Sequence, residues 1–232
     1  PEIVSAFRSF HGRTLGALAA TGQPDLQEGF GPMPGGFIHV PYDDVEAAEA
    51  AVGPKTAAVL VEPIIGEGGV IVPSDGYLRA LREICDRTGA LLIFDEVQTG
   101  VGRTGTLYAY EQLDVTPDIL TSAKGLGGGM PIGALLAREE AANGFVPGSH
   151  GSTFGANPVS CRAALAVLDA LDDGVLDNAV AAGKRLGERL CQLAGKHAII
   201  KQARGRGLMC GIEIDRPARP LVERALGYGL IL

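Results

Sequence analysis

The chain has 232 residues, enough for one large or two small domains. Charged residues make up 20% of it and hydrophobic residues 46%, a balance that can bury a core and argues against a disordered chain. The net charge of −7, with no block of Lys and Arg, argues against a nucleic-acid partner, because phosphate contacts need clustered basic groups. No apolar run approaches the ~18 residues of a membrane span, so no membrane partner is expected.

Glycine is the outlier: 34 residues, roughly twice the usual share. The glycines have no collagen period and cluster in short loops between apolar runs. That is the texture of an α/β enzyme whose backbone approaches a ligand closely. Cys85, Cys161, Cys191 and Cys210 are widely spaced, as are His11, His39, His150 and His197. Neither set has metal-ligand or redox spacing, so no metal is expected. With no signal peptide, a reducing, cytoplasmic location is expected.

In chain order, FIHV at 37–40 reads as a strand and the segment from Asp43 as a helix. TAAVLVEP at 56–63 is a buried strand closed by Pro63. Residues 74–89 predict an amphipathic helix capped by Ser74 or Asp75, burying Leu78, Leu81, Ile84 and Cys85, and stopped by Gly89. ALLIFDE at 90–96, DILTSAK at 118–124 and PIGALLA at 131–137 predict further strands. This alternation signals βαβ units and a mostly parallel sheet with helices on both faces. Past Asn157, residues 158–172 and 175–195 predict two helices, with Pro158 in the first turn. Strand-like pieces at 208–214 and at the terminal LIL follow. Two units result: a large α/β domain over 1–157, and a connecting helix with part of a smaller α+β domain over 158–232. The apolar opening after Pro1 and the half-strand expected at GLIL suggest an internal piece of a longer protein.

Ligands in open α/β sheets bind beyond the carboxyl ends of the strands. Glu62, Asp95 and Lys124 fall at three such ends, and Lys124 is followed by a glycine run. A lysine amine in a partly desolvated crevice can form a Schiff base with an aldehyde. A buried aspartate needs a cationic partner. Pyridoxal phosphate answers both: its aldehyde meets the lysine and its protonated ring nitrogen meets the aspartate. Nucleotide loops fit poorly. Ala123 precedes Lys124 where a P-loop needs glycine, RGRGLMCG at 204–211 misses the GxGxxG spacing, and GEGG at 66–69 reads as a turn.

SFHGRTLGALAATGQ (9–23), AAVLVEPIIGEGGV (57–70), LLIFDEVQTGVGRTGTLYAYE (91–111), PDILTSAKGLGGGMPIGA (117–134), GSHGSTFGANP (148–158) and RGRGLMCGIEI (204–214) span nearly the whole chain. In that order the chain resembles the class III, fold-type I pyridoxal-phosphate aminotransferases. The resemblance implies that fold and that cofactor. It implies that Lys124 is the catalytic Schiff-base lysine, and that Asp95 faces the pyridine nitrogen with Glu96 beside it. Gln98 is implied near the phenolic oxygen, Val97 and Phe10 on the two ring faces, and Thr153 on the cofactor phosphate of a neighbouring subunit. Arg13 is implied to hold a substrate carboxylate, Glu67 to pair with a second arginine, and Ser152 to lie near substrate. A homodimer with a shared active site follows, together with a small amino donor and 2-oxoglutarate as substrates.

The FHGRT and ALAATGQ wording points to N-acetylornithine as donor, in arginine biosynthesis. Ornithine, succinylornithine and 4-aminobutyrate remain open, as do an aminomutase, a racemase and a truncated, inactive remnant. Ala156 stands where the family usually has glycine. The phosphate-cupping loop is expected before Pro1 and the second arginine after Leu232.

Overall fold

A computed structural model describes all of residues 1–232. Its eight strands are β1 (Glu2–Ala6), β2 (Phe37–Val40), β3 (Thr56–Val61), β4 (Leu91–Asp95), β5 (Ile119–Ser122), β6 (Ala134–Ala137), β7 (Ile200–Arg206) and β8 (Met209–Ile214). Its helices are α1 (Leu15–Ala20), α2 (Val45–Ala51), α3 (Tyr77–Thr88), α4 (Glu139–Ala142), α5 (Pro158–Ala170), α6 (Leu176–Lys196) and α7 (Arg219–Gly227).

Six strands form one sheet in the order β2-β1-β3-β4-β5-β6. The first five are parallel and β6 returns antiparallel to β5. Strand order reverses between β1 and β3, and a crevice opens at such a switch point beyond the carboxyl ends. The apolar runs of β3 and β4 are continuous because both faces are covered. Val59, Val61, Leu92 and Phe94 are buried there and join Leu78, Leu81, Ile84 and Cys85 of α3 in one core. β7 and β8 form a separate antiparallel hairpin that packs on α6.

Three local expectations are corrected. Helix α3 starts at Tyr77 behind a left-handed Gly76, not behind Ser74 or Asp75. The Ser74 hydroxyl and amide instead donate to Asp43 Oδ1, at 2.6 and 2.9 Å, so that side chain is not free to cap. At the other end Gly89 takes the expected left-handed cap. Lys124 does not end β5. The strand stops at Ser122, and Lys124 opens a single helical turn with a left-handed φ of 45°. The terminal LIL is not a strand: α7 precedes it and Leu230–Leu232 are exposed coil.

The long helical stretch after Asn157 is broken at Asp173 and Gly174, where Gly174 has φ 94°. Asn157 caps α5 through its Oδ1, which accepts from the amides of Val159 and Ser160. α5 packs on the Lys124–Gly127 turn, and Gly128 approaches Val167 so closely that a Cβ would lie 2.8 Å from its methyl.

Leu92, wholly buried on β4, is the most direct test of this core. Leu92→Ala should lower unfolding stability by roughly 2–5 kcal/mol, read as a fall in the urea midpoint with an unchanged slope. A change within about 0.5 kcal/mol would contradict the packing described.

Candidate active site

The carboxyl edge of the sheet holds two linked groups of side chains. The first surrounds the ends of β1 and β4. Asp95 is 8% exposed and its carboxylate meets three donors. His11 Nδ1 lies 2.7 Å from Oδ2, the Thr121 hydroxyl donates to Oδ1 at 3.0 Å, and the Val97 amide donates to Oδ1 at 3.1 Å. Because a carboxylate only accepts, His11 carries its proton on Nδ1. Oδ1 is thereby saturated and Oδ2 keeps one open lone pair. The Thr121 contact follows from register, since β4 and β5 pair Asp95 with Thr121.

Phe10 and Arg13 sit in the loop after β1, with the Arg13 guanidinium 5.4 Å from the Phe10 ring centroid, a cation–π contact. Phe10 is half-buried and Arg13 exposed.

The second group lines a cleft of about 460 Å³. Glu67, Val97, Gln98 and Lys124 are in its walls, with Val101 and Arg103 from the loop after β4 and Met209 from the hairpin. The Lys124 side chain is exposed in this cleft, not desolvated as the sequence suggested. Gln98 Nε2 is buried without a hydrogen-bond partner. Gly66 makes room for that amide: a Cβ at Gly66 would lie 2.6 Å from it.

Glu62 joins the two groups. It is 2% exposed at the end of β3. Its Oε1 accepts the Phe10 amide at 2.8 Å and its Oε2 the Gly66 amide at 3.0 Å. One carboxylate thus ties the loop after β1 to the loop that carries Glu67. Burial pushes the Glu62 carboxyl up to about 7; the two amides and nearby His11 oppose that rise and Asp95 adds to it.

Three expected site residues lie elsewhere. Glu96 is fully buried and turned away from the cleft. It accepts from the amides of Ala109 and Tyr110 and from the Thr99 hydroxyl, so it braces the 96–111 loop. Asp95 ends β4, whereas Glu96 opens the loop that follows, and that loop's own amides claim its carboxylate. Burial also raises the Glu96 carboxyl above its ordinary range, with those three donors opposing. Ser152 and Thr153 are exposed and outside the cleft walls. Ser152 lines a separate hollow with Phe154 and Pro131.

His11 and Thr121 were missed by sequence reasoning, as was the tying role of Glu62. The only signals were adjacency of His11 to Phe10 and the parity of Thr121 on its strand.

The aminotransferase class-III family model matches residues 1–232. The chain belongs to the class-III aminotransferase family. It is 47% identical to the acetylornithine aminotransferase of Methanocaldococcus jannaschii over 232 residues, all of this chain and 58% of that relative. Acetylornithine aminotransferase 1 of Bordetella bronchiseptica is 52% identical over 236 residues, covering all of this chain and 60% of the relative. The crystal structure of the ornithine aminotransferase of Toxoplasma gondii superposes with a TM-score of 0.94 at 40% identity, over 99% of this chain and 56% of that one. The chain therefore spans about three fifths of the length of the curated relatives it matches. In this chain the polar groups gather at the ends of β1, β3, β4 and β5, and the β7–β8 hairpin borders them through Met209.

The Glu62 carboxyl sets a sign for pH. Its ordinary value is 4.5 and its folded value about 7, so between them the folded chain holds a proton that the unfolded chain has lost. Its contribution to stability is therefore greatest below pH 4.5 and falls as pH rises to 7, by about 3 kcal/mol. Glu62→Gln should flatten the stability profile between pH 4.5 and 7 relative to the parent, measured by urea unfolding at several pH values. Parallel profiles for the two proteins would contradict the assignment.

Proposed function

We propose that this chain carries the reaction centre of a pyridoxal-phosphate-dependent aminotransferase that moves the amino group of N-acetylornithine, or a similar ω-amino donor, to 2-oxoglutarate. The observation that carries the reading is Asp95 at the end of β4 and Lys124 in the turn just past the neighbouring parallel strand β5, the carboxylate held by three donors and the amine open in a cleft. Relatives about 50% identical over the whole chain and named acetylornithine aminotransferases support the donor and its place in arginine biosynthesis.

The residues present fit the cofactor. Gln98 Nε2 is a buried donor without a partner, matched to a phenolic oxygen. The open lone pair on Asp95 Oδ2 is matched to a protonated ring nitrogen. When bound, pyridoxal phosphate supplies an electron sink for the pair left on a substrate Cα as its proton departs. Lys124 would hold the cofactor through its Nζ, and the same amine would take up and return the substrate Cα proton. Asp95 would keep the ring nitrogen protonated, and His11 and Thr121 fix the carboxylate in place. Val97, in the cleft wall, and Phe10, in the loop after β1, would cover the two faces of the ring.

Arg13 offers a two-pronged donor to a substrate carboxylate. Glu67 lies in the cleft wall, where in this reading it pairs with a second arginine. In the same reading Ser152 and Thr153 serve a second subunit of a homodimer. The exposure of that segment, with Phe154 81% exposed, supports this. The division into a large domain over 1–157 and a smaller one from 158 onward belongs to the proposal too, and the separate β7–β8 hairpin supports it. No helix is long and apolar enough to cross a membrane, and a cytoplasmic location is part of the reading.

The test uses the complete polypeptide that contains this sequence. Incubated with pyridoxal phosphate and then borohydride, it should gain the cofactor mass on Lys124. With N-acetylornithine and 2-oxoglutarate it should form glutamate. Lys124→Ala should lose the label and lower turnover by roughly 10²–10⁴-fold. Asp95→Asn should keep the label and lose nearly all turnover. Labelling at another lysine, or full activity in Asp95→Asn, would overturn the reading. Ornithine used in preference to its acetylated form would move the donor assignment.

A further inference from the structure

The RGRGLMCG stretch is not a nucleotide loop, and its resemblance alone gives it no task. In the structure Arg204 lies within β7, opposite Gly211 of β8. Its guanidinium reaches out of the hairpin to the loop that carries Glu67. Nε donates to the carbonyls of Gly69 and Val70, at 3.1 and 3.0 Å, and Nη2 donates to Gly69 at 2.9 Å. The other edge is anchored at home: Nη1 donates to Gln202 Oε1 at 2.8 Å and to the Glu213 carboxylate. Arg8 donates to the next carbonyl along, that of Gly68. Gly211 leaves space for Val70, whose side chain would be 3.3 Å from a Cβ there.

This loop needs an external hold. Three of its first four residues are glycine, which gives it little intrinsic preference for one shape. Val70 sits at φ 52°, a conformation costly for a β-branched residue and kept only when its surroundings impose it. The neck is closed by paired amide bonds between Ile65 and Ile71, and the amides of Gly69 and Val70 turn inward to Gly66. The carbonyls of Gly68, Gly69 and Val70 accept from outside the loop, and two arginines take all three. Glu67 projects from this loop into the cleft wall.

We propose that Arg204 is a positioning residue that sets substrate selectivity: its planar fork latches the 66–70 loop to the hairpin and so fixes where Glu67 stands in the cleft. The inference rests on the proposed aminotransferase reading and adds to it. Lysine cannot replace the fork, because one ammonium cannot meet both carbonyls in plane while holding Glu213.

The complete polypeptide loaded with pyridoxal phosphate tests this with Arg204→Lys, Glu67→Gln and the double variant. Arg204→Lys should speed amide exchange at Gly69–Ile71 by at least about tenfold, the factor that 1.4 kcal/mol of lost hold gives. It should change the KM ratio between amino donor and keto acid severalfold while kcat stays within about twofold. In the Glu67→Gln background its effect on that ratio should vanish, the non-additivity expected of residues acting through one another. An unchanged KM ratio, an additive double variant, or equal loss for both substrates would overturn the proposal. Should Arg204→Lys fail to fold, Glu213→Gln releases only the anchored edge and should shift exchange and ratio in the same direction; no shift would overturn it. If the parent protein transfers no amino group, the functional reading fails, and unchanged exchange in Arg204→Lys would separately remove the latch.

Discussion

A buried carboxylate held by three donors, with one lone pair left open, organises this sheet edge. Asp95 takes Thr121 from β5, His11 from the loop after β1 and the amide of Val97 from its own turn. Burying a carboxylate is costly unless it is hydrogen-bonded or paired. The loops after β1 and β4 and the end of β5 are therefore fixed relative to one another by the requirement to satisfy one group. Glu62 repeats the device one strand away, binding the amides of Phe10 and Gly66 across the switch point. Together the two acids turn four strand ends into one surface, and Lys124 opens on its rim.

Local rules are broken on that rim as well as in turns elsewhere, at Arg8, Asp43, Asp114 and Ala156. Val70, Val101 and Lys124 all have positive φ, and all three line the cleft. Two are β-branched, for which this conformation is a genuine outlier. Each has a visible restraint. Val70 is held by the Arg204 latch, Val101 packs against Gly125, where a Cβ would come within 3.3 Å, and α5 braces the turn that Lys124 opens. Strain at a cleft, held by well-packed neighbours, is the pattern expected where geometry serves chemistry.

The parallel sheet was readable because its strands are uninterrupted apolar runs separated by helical periods. The β4 run ends in Asp95 as the alternation implies, and the stripe on α3 names its own buried residues. Less readable were features decided by distant partners. Ser74 fails to cap because Asp43, 31 residues away, claims its hydroxyl. Glu96 looks like part of the site in sequence but is drawn into its own loop by three donors. His11 is one scattered histidine among four until the fold places it 2.7 Å from a residue 84 positions on. The segment around Thr153 carries the family wording without meeting the cleft in its own chain.

The central claim is that Asp95 meets the protonated nitrogen of a bound pyridoxal ring. Nitrogen-15 NMR of the complete polypeptide loaded with ring-labelled pyridoxal phosphate reads that atom alone. A protonated, hydrogen-bonded nitrogen at neutral pH, returning to the neutral shift in Asp95→Asn, is the result the account predicts. An unprotonated nitrogen in the parent protein, or a shift indifferent to that substitution, would contradict it.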